Sequence, residues 1–453
     1  MTVFSTRSAW AHASEQGFVL LLPTDVYIIS GVACVALTVL LLTVLPGSFI
    51  IRMFRPLPLG RWNADRRFRT SSSCLSFGLL LLLLWAGMNG PRDPLTNPLP
   101  LFIWTLWWIG FVSLQGLIGD VWRWVNPWSG PVVMTRRVLG FQPFLRLPAK
   151  LGHSLAILSF LAFASVLLAE PAPSDPARLA GYVGGYWLFT YLAVLAFGPR
   201  WLFRAEGFTL LMRCYGALGI FGRAGNRNGI GVTGWSLLRR PKPAVGMAVF
   251  MLILLGSGSF DGLNETFWWL DLIGINPLEF PGRSAVILEN LTGLLVANIA
   301  LIAVYVGAIR AGQGLVGKPL PLIEAICLFA PSILPIALGY HIAHYVPSFL
   351  VDGQYALAAI NDPLARGDSL LGFETFYVTT GFFNVPDSVR AIWLTQAGAV
   401  VIGHVLAVLL AHAFALRRFG DTRTAVLSQA PLAVFMVLYT LFGLWLLASP
   451  RGG

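Results

Sequence analysis

The chain has 453 residues, of which 56% are hydrophobic and only 11% are charged, and its mean hydropathy is +0.73. Soluble globular proteins carry about 25% charged residues, so this composition excludes an ordinary soluble domain. The net charge of +11 does not require a nucleic-acid partner, because basic loops that face anionic inner-leaflet lipid account for it.

Ten apolar runs follow one another along the chain, and each approaches the roughly 20 residues that one helical membrane crossing needs. We therefore predict an all-α fold: a polytopic bundle of about ten transmembrane helices in one domain, residues 1–453. The runs are 27–51, 74–88, 99–117, 151–168, 179–197, 244–260, 284–308, 320–345, 389–416 and 426–447. Segment 206–221 is apolar but short and contains Arg213, which favours an interfacial or re-entrant helix.

Basic residues alternate between the connecting loops and predict the orientation of the chain. The loops after runs one, three, five, seven and nine hold 24 of the 31 Lys and Arg residues. Because loops rich in Lys and Arg stay in the cytoplasm, residues 118–150 and 198–243 are predicted cytoplasmic loops. The acidic segments 261–283 and 346–390 are predicted outer loops. This arrangement suits a bacterial inner membrane, with both termini outside the cytoplasm and the first span retained.

The four cysteines show neither a CxxC pair nor metal-ligand spacing. They are scattered along the chain and lie mostly in apolar runs, at Cys34, Cys74, Cys214 and Cys327. We interpret them as small core residues and expect no disulfide framework.

The eighth run combines two prolines with two histidines. Pro331 and Pro335 each remove a backbone donor, so the helix should kink or break there, as helices around transporter binding sites do. His341 and His344 follow at a spacing of three and lie on one side of that helix, where two imidazoles can share a metal ion. The alternative is that these histidines contact water or lipid headgroups.

Carboxylates are predicted at the same outer level as this pair of histidines. Asp261 ends the sixth run, Glu289 lies inside the seventh, and Asp352 follows the histidines. A carboxylate inside a membrane is expensive unless it is paired, and it indicates function by default. If the three helices are neighbours, these groups form a His/carboxylate cluster suited to Zn, Mn or Fe, and a bound metal would activate water. The alternative is a network of helix caps and acid–His pairs without metal.

His404 and His412 lie two turns apart on roughly one face of the ninth run. Each can be a neutral histidine that bonds another helix, or the two can belong to a proton relay. Glu324, near the inner end of the eighth run, is either their distant counterpart or a side chain that snorkels to the interface.

Three segments resemble a family of bacterial multi-span membrane proteins, many of which are labelled fenitrothion hydrolase. They are GDVWRWVNPW (119–128), GSGSFDGLNET (256–266) and GYHIAHYVPSFLVDGQYALAAINDPLARG (339–367). The resemblance covers residues 117–373. It implies hydrolysis of an organophosphorus triester at a site within the membrane, and it assigns no catalytic residues.

Three functions remain open from the sequence. The first is a membrane hydrolase of apolar esters or phosphotriesters, in which His341 and His344 bind a metal with Asp261 or Glu289, and a remaining carboxylate acts as general base. The second is a transporter whose broken eighth helix holds the substrate while Glu289 and His404 couple protons. The third is a non-catalytic subunit that docks a membrane partner protein.

Overall fold

The computed structural model describes residues 19, 22–60, 65–140, 142–225, 227–372 and 377–451. All ten predicted apolar runs are helical, and we number the corresponding helices α1 to α10. Their bounds are Thr24–Val44, Arg66–Asn89, Pro98–Ile118, Ser154–Ala169, Pro176–Phe197, Val245–Leu263, Arg283–Gly314, Leu322–Asn361, Pro386–Phe419 and Thr422–Ala448. Within the described residues, nine of these helices are long and apolar enough to cross a membrane, and the shorter α4 has 16 residues. The chain is therefore an all-α, multi-pass membrane protein.

Three of these helices, α3, α7 and α8, contain other helical geometry. In α3, residues Leu101–Phe111 form a π-helix between short α-helical ends. In α7, a 3₁₀ turn at Arg283–Val286 precedes the α-helix Ile287–Gly314.

The connections contain short helices and one small sheet. Strands β1 (Leu57–Gly60), β2 (Phe221–Ala224) and β3 (Arg227–Ile230) pair antiparallel in the order β1-β3-β2. This sheet joins the loop after α1 to the loop after α5, so two of the predicted inner loops lie on the same side of the bundle. The short α-helices are Gly47–Met53, Trp122–Val125, Ser129–Leu139, Arg200–Arg204, Gly207–Gly216 and Phe267–Leu272, and 3₁₀ turns occur at Ala149–Leu151, Leu237–Arg239, Pro277–Glu279 and Gly381–Asn384.

The predicted interruption of α8 is present. A 3₁₀ turn at Ala330–Ile333 separates the α-helices Leu322–Phe329 and Leu334–Asn361. The second part continues to Asn361, whereas the sequence predicted an outer loop from residue 346. It stays helical because Ala356 and Ala359 are buried against Leu101 of α3.

The buried centre of the bundle consists of α6, α8 and α9, whereas α1 and α2 expose most of their length. Helices α8 and α9 touch backbone to backbone. A Cβ atom on Gly403 would lie 2.6 Å from the carbonyl oxygen of Pro335, and one on Gly339 would lie 2.5 Å from that of Ala399. The predicted short helix at 206–221 is present as Gly207–Gly216 and is buried against α3 and α4.

Candidate functional site

A carboxylate and an imidazole meet inside the bundle. Asp261, near the C-terminal end of α6, lies with its Oδ2 atom 3.4 Å from Nε2 of His344 on α8; the His344 side chain is buried and that of Asp261 is 14% exposed. The Tyr345 hydroxyl donates a hydrogen bond to the same carboxylate. We call Asp261 and His344 the Asp–His pair. Two residues of the predicted cluster are thus brought together, with a tyrosine that was not predicted.

Small residues of α6 allow this approach. In the segment GSGSFDG, Gly262 packs against Tyr340 of α8 so closely that a Cβ atom there would lie 1.9 Å from the tyrosine hydroxyl oxygen. The Tyr340 ring in turn stacks nearly parallel to the His344 imidazole, at 6.1 Å between centroids. The glycine therefore admits the α8 side chains that contact Asp261.

His341 has a different partner. Its Nε2 atom lies 3.1 Å from the carbonyl oxygen of Trp108. Because a carbonyl oxygen only accepts, Nε2 is the protonated nitrogen of this imidazole. Trp108 belongs to the π-helix of α3, and π-helical turns frequently occur at functional sites. The two histidines thus contact different helices, His341 reaching α3 and His344 reaching α6.

The space beside the Asp–His pair is small. A cavity of about 30 Å³ is enclosed by residues of α3, α4, α6, α8 and the short helix Gly207–Gly216, including Trp108 and Phe163. This volume has room for roughly one water molecule. Within the described residues, Nδ1 of His344 and the hydroxyl of Tyr340 are buried without a hydrogen-bond partner. The site can therefore hold or transfer a proton, but it has no room for an organic substrate in this conformation.

Glu289 and Asp352 are not part of this arrangement. Glu289 lines a separate cavity of about 550 Å³ beside Trp268 and Trp269. Asp352 is half-buried on α8, two turns or about 12 Å beyond His344. Among the residues that the structure describes, no three His, Cys, Asp or Glu side chains are grouped so as to hold a metal ion. The cluster of both histidines with Asp261, Glu289 and Asp352 is therefore not formed.

Further buried polar groups lie on α9 and α10. The hydroxyls of Ser259 on α6 and Tyr439 on α10 are 2.6 Å apart, and the Tyr439 ring centroid is 6.3 Å from that of His404. Nearer the C-terminal end of α9, His412 Nδ1 lies 2.5 Å from the side-chain nitrogen of Gln429 on α10. His412 therefore bonds another helix, whereas Nδ1 of His404 bonds the Val400 carbonyl oxygen of its own helix. Tyr439 was missed, since a single tyrosine in an apolar run gives no signal.

Glu324 connects the N-terminal end of α8 with the C-terminal end of α9. Its carboxylate lies 3.5 Å from Nζ of Lys242, which precedes α6, and 3.7 Å from Nε of Arg418 on α9. The side chain forms an ion-pair network at the predicted inner end of the bundle, far along α9 from His404. All three side chains are partly exposed, so the network is open to solvent ions.

Comparisons with known proteins give no match. No family model matches the sequence, and neither a curated protein nor a solved structure is significantly similar to the chain.

Proposed function

We propose that this protein is a membrane transporter whose transport cycle is coupled to proton binding at the Asp–His pair. The observation that carries the proposal is the burial of a carboxylate against an imidazole between α6 and α8, on a helix that is interrupted at Ala330–Ile333. Ionisable residues inside transmembrane bundles mark proton relays and substrate pathways. Discontinuous helices are a recurrent feature of transporter sites.

Proton binding changes the charge of the pair by one unit, whichever residue holds the proton. With one proton between carboxylate and imidazole, the pair is either two neutral groups or an ion pair, and its net charge is zero. Removal of that proton leaves a net negative charge inside the bundle, which is costly unless the helices rearrange or water enters. Protonation therefore stabilises the closed packing of α6 against α8, and deprotonation favours a different arrangement.

His344 has an atom in the right position to exchange this proton. Its Nε2 atom faces Asp261, whereas Nδ1 has no partner among the described residues and borders the cavity that can hold one water. Tyr439 with Ser259, then His404, then His412 continue the series of buried polar groups towards the inner surface. The spacing of His404 and His412, about 12 Å along α9, requires water between them during transfer.

The interrupted helix supplies a place for the conformational change. The 3₁₀ turn separates the inner part of α8, which carries Glu324, from the outer part, which carries the Asp–His pair's imidazole. In this conformation Glu324 holds the inner ends of α8 and α9 together through Arg418. Opening towards the inside would break this partly exposed network, which costs little in water.

Proton uptake by purified protein in liposomes tests the proposal. The liposomes contain the pH-sensitive dye pyranine, and a potassium gradient with valinomycin imposes an inside-negative potential. We expect the wild-type protein to take up protons faster than protein-free liposomes, and Asp261→Asn and His344→Gln to lose this activity. Glu289→Gln is the matched control, because that carboxylate lies in a separate cavity, and it should retain uptake. Equal rates for wild type and Asp261→Asn would contradict the proposal.

A second candidate is a metal-free membrane hydrolase of lipophilic phosphotriesters, which the resemblance of segments 256–266 and 339–367 favours. In this mechanism Nδ1 of His344 takes a proton from water, the hydroxide adds to phosphorus, and the aryloxide leaves. Asp261 would stabilise the imidazolium through Nε2, from which it lies 3.4 Å away. Release of 4-nitrophenol from diethyl 4-nitrophenyl phosphate tests it: His344→Gln should abolish release and a chelator should not affect it.

A further inference from the structure

A large apolar cavity lies on the side of the bundle away from α6 and α9. Its volume is about 740 Å³, and it lies among α2, α3, α4 and α5, within the range of about 300–1,000 Å³ that drug-sized ligands occupy. Leu79, Tyr182 and Phe189 line it and are largely exposed on the outer faces of α2 and α5. Those faces belong to helices suited to span a membrane, so the cavity opens sideways towards lipid.

Four of the five tryptophans that line the cavity offer their rings rather than hydrogen bonds. The indole N–H groups of four lining tryptophans donate to protein oxygens, in the pairs Trp104 to Pro173, Trp122 to Thr209, Trp128 to Trp187 and Trp187 to Pro127. An occupant therefore meets an apolar surface over most of its length. This surface suits a hydrocarbon chain or rings.

Two neighbouring hydroxyl groups interrupt this wall. Ser159 on α4 and Tyr186 on α5 both line the cavity, and their hydroxyl oxygens are 3.0 Å apart. The Tyr186 hydroxyl donates to the carboxylate of Glu206, which is only 1% exposed. The two carboxylate oxygens also accept from the backbone N–H groups of Phe208 and Thr209, at 2.8 and 2.6 Å. The carboxylate is thus fixed in position behind the tyrosine.

The donor and acceptor roles of the Tyr186 and Ser159 hydroxyls determine which polar group of a ligand would fit. Because Tyr186 gives its proton to Glu206, its oxygen remains an acceptor towards the cavity. The Ser159 hydroxyl can rotate and donate. A ligand hydroxyl, which donates and accepts at the same atom, matches both groups, whereas an ether lacks the donor. Burial raises the pKa of Glu206 above its ordinary value, which favours the neutral carboxyl form. The ligand therefore needs no cationic group to balance a negative charge at this residue.

We propose that this lateral cavity binds a lipophilic alcohol from the bilayer, with its apolar part against the tryptophans and its hydroxyl on Ser159 and Tyr186. The proposal goes beyond the transport function and does not depend on it, since no residue of the Asp–His pair lines this cavity.

Photolabelling of the full-length protein in nanodiscs tests the proposal. The probe is hexadecanol with a diazirine in mid-chain, and labelled peptides are identified by mass spectrometry. We expect adducts on residues of α2 to α5 that line the cavity. Unlabelled hexadecanol should compete about tenfold better than 1-methoxyhexadecane, which is the effect of about one hydrogen bond.

Two variants separate the polar contact from the cavity itself. Tyr186→Phe should weaken labelling about tenfold, whereas Tyr191→Phe is the matched control. Tyr191 lies on the same helix and its hydroxyl contacts Thr135 outside the cavity, at 2.5 Å. Ala162→Phe fills the cavity from an exposed position and keeps both hydroxyls, and it should abolish these adducts. Equal competition by hexadecanol and its methyl ether, together with unchanged labelling of Tyr186→Phe, would overturn the proposal and show that hydrocarbon alone fills the space. Unchanged labelling of Ala162→Phe would overturn it by showing that the probe does not occupy this cavity.

Discussion

The contact of α8 with α9 depends on glycine, and Gly403→Ala should disrupt it. A Cβ atom at this position would lie 2.6 Å from the backbone carbonyl oxygen of Pro335, whereas ordinary contacts begin near 3.4 Å. The helices would therefore have to separate by about 0.8 Å, because a backbone oxygen cannot rotate away as a side chain can. Overpacking of this kind costs about 1–3 kcal/mol.

The matched control is Gly398→Ala on the same helix, where a Cβ atom meets nothing within 4 Å. Alanine has the higher helix propensity, by about 0.8–1.0 kcal/mol, so this variant should be neutral or more stable. Because Gly403→Ala has the same gain in propensity, the difference between the two variants is the overpacking cost of about 1–3 kcal/mol.

Unfolding in mixed micelles of increasing SDS content measures both variants against the wild-type protein. Gly403→Ala should unfold at a lower SDS fraction than the wild type, and Gly398→Ala at the same or a higher one. If both substitutions shift the transition equally, the two helices are not in backbone contact at Gly403, and the packing described for α8 is incorrect.

Four further predictions concern polar contacts elsewhere in the bundle. Glu206→Ala should lower the unfolding free energy by about 1–2 kcal/mol, because the helix Gly207–Gly216 loses its N-cap. SDS titration measures this loss, and an unchanged unfolding free energy would contradict the capping role. Burial raises the pKa of Glu206 above 4.5, so the stability contributed by protonation of this carboxyl is complete below pH 4.5 and is lost as the pH rises through the raised pKa. Glu206→Gln should remove this decline in unfolding free energy. A pH profile of the variant equal to that of the wild type would be inconsistent with the burial. Glu324→Gln should lower the unfolding free energy by at most about 1 kcal/mol, and by less at high salt, because the ion pairs of Glu324 are partly exposed. A larger loss of stability that salt does not affect would show that the network is shielded from solvent. His341→Phe should cost about 1 kcal/mol by removing the hydrogen bond of the imidazole to the Trp108 carbonyl oxygen. The same titration measures this loss, and an unchanged stability would argue against the bond.

The sequence predicted the helices well because crossing a membrane imposes a simple requirement. Each run needs enough apolar residues to span the hydrocarbon core, and each is visible without knowledge of its neighbours. The interruption of α8 was predictable for a similar reason, since Pro331 and Pro335 act on their own helix. The end of α8 at Asn361 was not, because its last turns are stabilised by packing on Leu101 of another helix.

The site was predictable only in part, because it depends on how the helices are rotated. Asp261 and His344 were both candidates, and they meet. Glu289 was predicted at the same membrane level, but it lines another cavity. The spacing of three residues between His341 and His344 suggested a shared ligand, yet each imidazole faces a different helix. No sequence pattern marked the π-helix whose carbonyl group binds His341.

The contacts of α8 explain why the site lies where it does. Apolar burial contributes little to helix association in lipid, so close contacts of small residues and polar contacts decide which helices adjoin. Helix α8 has one such contact on each of three sides: Gly339 on α9, His341 on α3, and Tyr345 with His344 on α6. The groups that would handle a proton are therefore also the groups that fix the position of α8. We therefore expect a change of charge at the Asp–His pair to alter the packing of this helix, which is the coupling between proton binding and conformational change that the proposed transport function requires.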